Sequence, residues 1–178
     1  MAITFNGTTN VITPTTAVQP QHAIVNVHQA IKTDTASEEV EDNTESAVLF
    51  STNYAAISSS NKLLIQMSLI VGGERSSGNA IFPILMIGGS AAAYRGDAAG
   101  NRTRSSAPTY VSSEWYSTSI TITYLLSSPS TSSTAYGVAF RHGNNGTEAV
   151  YLNRAHHNND EYWMARGASS ITLTEIQG

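Results

Sequence analysis

The feature that most constrains this chain is apolar alternation with a period of two, repeated along its length, and no window of twelve or more residues with a helical period. In Ser119–Leu125, Ile120, Ile122 and Tyr124 point one way while Ser119, Thr121 and Thr123 point the other, the pattern of a strand with one buried face. Ser170–Ile176 repeats it, with Ile171 and Leu173 opposite Ser170, Thr172 and Thr174, so the C-terminal residues are expected to form a strand bound into a sheet. Tyr136, Val138 and Phe140 follow the same rule. Lys62–Val71 is more continuously apolar, with Leu63, Ile65, Met67 and Leu69 in one phase and Leu64 and Ile70 in the other, which predicts a central strand covered on both faces.

Turn signals fall between these runs about every ten residues. They include Gly72-Gly73, Gly88-Gly89, Gly143-Asn144-Asn145-Gly146 and the serine-rich stretch around Pro129. This spacing predicts an all-β fold, an antiparallel, jelly-roll-like β-sandwich of about eight strands. Asn144-Asn145-Gly146 is expected to close a hairpin, because Asn and Gly adopt positive φ at little cost. Residues 1–22 read differently, being rich in Thr and Asn with Pro14 and Pro20 and a short apolar start at Ile3 and Phe5. They are expected to form an extended N-terminal arm, unable to order itself alone and suited to docking on another subunit or protein. Residues 23–178 are expected to form the sandwich.

The 178 residues hold no cysteine, which removes disulfide frameworks, thiolate metal sites and cysteine nucleophiles. Only 12% are charged, about half the usual share for a soluble domain. Hydroxyls take their place, with 23 serines and 20 threonines, residues that solvate the outward face of a strand without charge. A net charge of −4 with only two lysines leaves no basic stripe to hold nucleic acid or an anionic membrane. No apolar run approaches the roughly 20 residues of a spanning helix, and the N-terminal residues lack the pattern of a secretory leader.

His156-His157-Asn158-Asn159-Asp160-Glu161 is the one cluster of ligand-type side chains. Adjacent histidines in extended backbone point to opposite faces and no third histidine is suitably spaced, so no metal and no cofactor are expected. In a loop, His156 and His157 with Tyr162 and Trp163 instead offer a stacking and hydrogen-bonding surface for a polar ligand. Tyr110, Trp115 and Tyr116, together with Tyr162 and Trp163, supply amphipathic aromatic area either to a core or to a sugar-binding face, with the core as the default expectation. The scattered acids Asp97, Glu114, Glu148, Asp160, Glu161 and Glu175 give no carboxylate pair recognisable as glycosidase machinery, and no nucleophile elbow or phosphate loop occurs, so no enzymatic function is expected. The acids between Glu38 and Glu45 read as a solvated loop. Arg95, Arg102 and Arg104, clustered in a glycine-rich segment of a lysine-poor chain, are expected to make intersubunit contacts by fixed hydrogen bonding.

Several segments together bring a family into view. The ending Ser169-Ser170-Ile171-Thr172-Leu173-Thr174-Glu175-Ile176, preceded by Arg166-Gly167, resembles the Ser-Thr-Ile-Thr-Leu-x-Glu-Ile ending of a β-domain found in tail-fibre and other virion proteins of tailed bacteriophages. Residues 96–104, Tyr151-Leu152-Asn153-Arg154, Ile31–Thr35 and Asn61–Ile65 look like other pieces of that domain, and Ile3–Thr8 looks like short repeats of fibre shafts and adaptors. The resemblance implies a non-enzymatic virion structural protein on the exterior of the particle, made in the host cytoplasm, and a homotrimer, since such assemblies gather about threefold axes. It implies a capsid decoration (cement) protein or a short head, collar or tail fibre, joined to other virion proteins through Ile3, Phe5, Arg95, Arg102 and Arg104. The alternative is a receptor-binding fibre tip that recognises host-surface glycan through His156, His157, Tyr162 and Trp163. Neither reading calls for nucleic acid or membrane insertion.

Overall fold

The computed structural model describes residues 3–6, 11–14, 22–162 and 164–178. Among them every regular element is a strand and none is a helix. β1 (Ile3–Asn6) and β2 (Val11–Pro14) pair antiparallel with each other, so this part of the arm folds back on itself where composition predicted an extended chain. The side chains of Ile3 and Phe5 lie outside the described residues, and with them their expected role in attachment.

The other eleven strands form two antiparallel sheets, not the eight strands expected. β6 (Lys62–Gly73) is the centre of the first. β10 (Ser117–Ser127) pairs with it along one edge from Lys62 to Gly72. On its other edge lie β13 (Ser169–Ile176), from Lys62 to Ser68, and β12 (Glu148–Leu152), from Val71 to Gly73. β3 (Ile24–Lys32) then flanks β13, and β4 (Ala36–Val40) flanks β12. In the second sheet β11 (Thr134–His142) lies between β5 (Phe50–Tyr54) and β7 (Asn79–Ile87), and the short β8 (Ser90–Ala91) and β9 (Thr109–Val111) pair with β7. The additional strands are short or polar, such as Ala-Ser-Glu-Glu-Val in β4 and Thr-Tyr-Val in β9, and carry too few apolar residues to display alternation.

The sheets meet through the faces that alternation marked. Leu63, Ile65, Met67 and Leu69 of β6 and Ile122 of β10 pack with Tyr136, Val138 and Phe140 of β11, all at 1% exposure or less. Each such side chain contributes roughly 1.5–3 kcal/mol on burial. The expectation that β6 is covered on both faces is corrected: Gln66 and Ser68 are exposed, while Leu64 and Ile70 are half-buried. The back of β6 is covered only at one end, where Gly167 lies on Ile70 and residues 154–155 lie on Gly72.

Asn144-Asn145-Gly146 does not close a hairpin. β11 and β12 belong to different sheets, so the turn is a corner carrying the chain from one layer to the other. Gly146 supplies the positive φ, and the buried Glu148 carboxylate holds the corner by accepting from Asn79 Nδ2 and Asn144 Nδ2, each at 2.8 Å, and from Arg75 Nε. The acids of 38–45 are likewise not one solvated loop. Glu38 and Glu39 lie within β4, and Glu45 accepts a 2.8 Å bond from Arg141.

Candidate functional site

The described loops converge at the end of the first sheet where β12 runs out. Asn153, fully buried, ends that strand in the left-handed region at φ +65°, which Asn tolerates better than most residues. Its Nδ2 donates to the carbonyls of Lys32 and Asp34 at 2.8 Å, and its Oδ1 accepts from Ser169 Oγ at 2.6 Å. Its backbone N–H donates to the Ile70 carbonyl. The chain therefore turns sharply at Asn153 and crosses β6 at Gly72, where a Cβ would lie 2.4 Å from the Arg154 carbonyl oxygen. Only a glycine lets residues 154–155 approach so closely.

That crossing brings 154–158 against the segment entering β10. The His157 N–H donates to the Glu114 carbonyl at 3.2 Å, and His157 Nε2 lies 3.3 Å from Glu114 Oε1. The His157 ring stacks on Trp115 with centroids 3.8 Å apart, and the His156 ring stands edge-on to it at 5.1 Å. Tyr151 OH and His156 Nδ1 share a 2.6 Å hydrogen bond. Burial raises the Tyr151 pKa above the usual phenol value, with Glu74 and Glu39 adding to the shift and Arg154 opposing it, so the ring meets His156 as a neutral phenol. The Arg154 guanidinium lies 4.2 Å above the Tyr151 ring and donates to the carbonyls of Ala155 and His156, which holds the backbone of the turn.

Beside this cluster is a recess of about 190 Å³, lined by Trp115, Tyr116, Arg154, His157, Asn158 and Arg166 among others. Arg166 is anchored by a 3.0 Å bond to Asn158 Oδ1. Two guanidinium groups, an amide and aromatic faces make a lining suited to a small polar or anionic group. It is smaller than the roughly 300–1,000 Å³ of pockets that enclose drug-sized ligands.

Three sequence expectations change here. His156 and His157 lie in the expected loop, and there their rings converge, so the separation that an extended backbone would impose does not apply. Trp115 and Tyr116 are not core residues: they are 43% and 66% exposed, as is Tyr110 at 59%. Tyr162 is 97% exposed and is not among the residues lining the recess. Trp163 lies outside the described residues. Sequence reasoning missed Glu114, Arg154 and Arg166. The available signal was the run Ser112-Ser113-Glu114-Trp115-Tyr116, two large amphipathic rings beside an acid just before a clean alternation begins.

Two of the three clustered arginines, Arg95 and Arg104, have side-chain partners within the chain. Arg95 lies 3.9 Å from Glu45, and Arg104 Nε donates to the Gly96 carbonyl at 2.6 Å, while Arg102 is exposed. Arg95 therefore pairs with Glu45 and not with the nearby Asp97.

No family model matches this chain, and no curated protein does. Among solved structures, a chain from "Structure of infectious bursal disease virus Gx strain" is similar over 92% of this chain and 42% of its own length, with a TM-score of 0.38 and 12% identity. The chain thus spans less than half of that one, and likeness at this level carries no argument about function.

Proposed function

We propose that this chain is a non-enzymatic structural component of a tailed-bacteriophage particle, a homotrimeric capsid decoration protein or short head, collar or tail fibre on the particle's exterior. The virion assignment and the threefold state rest on the sequence resemblance. Self-association is supported by one observation, the outer face of β3, β13, β6 and β10. Strand registers place Val27, Ile31, Leu64, Thr172, Thr121 and Leu125 on that face, with Gln, Ser and Thr between them. Its one charged side chain is Lys62, at one end. Val27 is 56% and Ile31 62% exposed on β3, whose outer edge is unpaired among the described strands.

Unpaired edges with exposed apolar residues invite pairing, and natural sheets usually protect them with charge. A face of hydroxyls, amides and aliphatics packs against a copy of itself without desolvating ions. Four strands about 4.8 Å apart and about seven residues long give roughly 450 Å², less than the roughly 800 Å² per partner of a standard interface. A second contact is needed, and the N-terminal residues and Arg102 are the candidates for it. Particle reconstruction tests the assignment: density for this chain is expected on the outside of the virion about a threefold axis. Deleting residues 1–22 should release the chain from particles while leaving its β signal intact, and retained incorporation would refute the attachment role.

A second reading, recognition of host-surface glycan, is favoured by the recess between Trp115 and Arg166. Binding on a glycan array that Trp115→Ala abolishes without unfolding would put recognition first. Absence of binding by the intact chain leaves the structural role.

A further inference from the structure

We propose that Glu114, His156 and His157 form a binding site for one divalent transition-metal ion of the zinc type. One ring nitrogen of each histidine and one carboxylate oxygen of Glu114 lie within 4.8 Å of one another, and all three residues are half-buried. The residues come from two segments that the Gly72 crossing brings together, so the grouping is a product of the fold and not of sequence proximity alone.

The geometry leaves the right atoms available. His156 Nδ1 is engaged by Tyr151 OH at 2.6 Å, so the nitrogen left for an ion is Nε2. When Nδ1–H donates to the phenolic oxygen, the lone pair sits on Nε2, and this is the outer-shell arrangement that orients metal-binding imidazoles. His157 is fixed by its stack on Trp115 and by its backbone bond to the Glu114 carbonyl, and it presents Nε2 to Glu114. Zinc binds nitrogen and oxygen at about 2.0–2.2 Å, so the ligand atoms of a tetrahedral ion lie roughly 3.3–3.5 Å apart. The His157–Glu114 edge is already 3.3 Å. To complete the triangle the His156 ring turns so that Nε2 comes to the same distance from the other two ligand atoms.

The donor set also selects the metal. Two imidazoles with one carboxylate suit zinc, cobalt and nickel, whereas calcium and magnesium require mainly oxygen ligands. Three protein ligands leave a position for water, and the partial exposure of His157 and Glu114, 30% and 22%, gives an ion a path from solvent. The other reading of the same contacts is a histidine–carboxylate pair with no ion.

Titration separates the two. The full chain, free of any histidine tag and dialysed against chelator, is titrated with zinc chloride by calorimetry and with cobalt chloride by visible absorption. One ion per chain is expected. His156→Asn, His157→Asn and Glu114→Gln should each weaken binding at least about tenfold, and Tyr151→Phe should weaken it by about the 10- to 100-fold typical of lost outer-shell partners. In a Trp163→Phe background the remaining tryptophan, Trp115, should be quenched by cobalt in proportion to occupancy. Circular dichroism confirms that each variant is folded. No saturable binding at millimolar zinc, or equal binding by the folded His156→Asn/His157→Asn double variant, would overturn the proposal.

Discussion

Replacing Glu175 with glutamine tests how the sandwich is held at its C-terminal strand. The Glu175 carboxylate is fully buried, yet it accepts 2.6 Å bonds from Tyr54 OH and Asn61 Nδ2, together with the backbone N–H groups of Ile57 and Ser58. Burial by itself would push its pKa up, but these donors together outweigh it and hold the pKa below the ordinary value of 4.5. β13 is thereby fastened to the 54–61 loop, which crosses from the second sheet to β6. Bonds to a charged acceptor are worth about 1.5–3 kcal/mol against about 0.5–1.5 for neutral ones. Glutamine keeps one acceptor oxygen and turns a donor toward Tyr54, while burying an amide costs less than burying a charge. The net loss is estimated at about 2–4 kcal/mol at pH 7. For a chain of this size that lowers Tm by roughly 10 °C.

The pH dependence carries the sign. A carboxylate with a depressed folded-state pKa contributes stability that is fully present above its unfolded value and is lost as pH falls through the folded one. Chemical denaturation of wild type and Glu175→Gln should therefore differ most at neutral pH and converge as pH falls through the lowered folded-state pKa, below which the protonated acid resembles the amide. A difference under about 0.5 kcal/mol at pH 7 would refute the claim that the four donors stabilise the charge. A difference that moves in favour of glutamine as pH rises would show that burial wins and the acid is neutral in the fold.

Other outcomes follow from the site. Gly72→Ala should push the 154–155 segment off β6, since its Cβ would meet the Arg154 carbonyl oxygen at 2.4 Å; a cost of about 1–3 kcal/mol and a change in the indole environment of Trp115 are expected by denaturation and fluorescence. Asn153→Ala should cost about 3 kcal/mol by chemical denaturation, because it orphans the Lys32 and Asp34 carbonyls and places alanine at φ +65°. Gly78→Ala should destabilise by a similar amount, since the added Cβ would collide with the Tyr110 ring at positive φ.

Much of the sandwich was legible where burial is one-sided. β10 and β13 alternate apolar residues with Ser and Thr, and β11 alternates Tyr136, Val138 and Phe140 with the small residues Ala135, Gly137 and Ala139. The short strands were not legible, because β4, β5 and β9 gain their place from partners distant in sequence and not from their own pattern. The corner at 143–146 was misread because turn residues report φ and not whether the following strand joins the same sheet. Glu175 carried an unused signal: it is in phase with Ile171 and Leu173, so an inward strand face placed an acid in the core. The recess was hidden for a different reason. It depends on a left-handed Asn153 and a close approach at Gly72, and it joins segments about forty residues apart.

The central claim is that the chain associates with itself through its charge-poor outer sheet face. Native mass spectrometry of the intact chain at micromolar concentration tests it most directly, with wild type measured beside Val27→Lys/Ile31→Lys. Wild type should appear as a trimer, and the double variant, folded by circular dichroism, should shift toward monomer because the added lysines place like charges across the contact. A wild-type monomer, or a trimer indifferent to both lysines, would contradict the account.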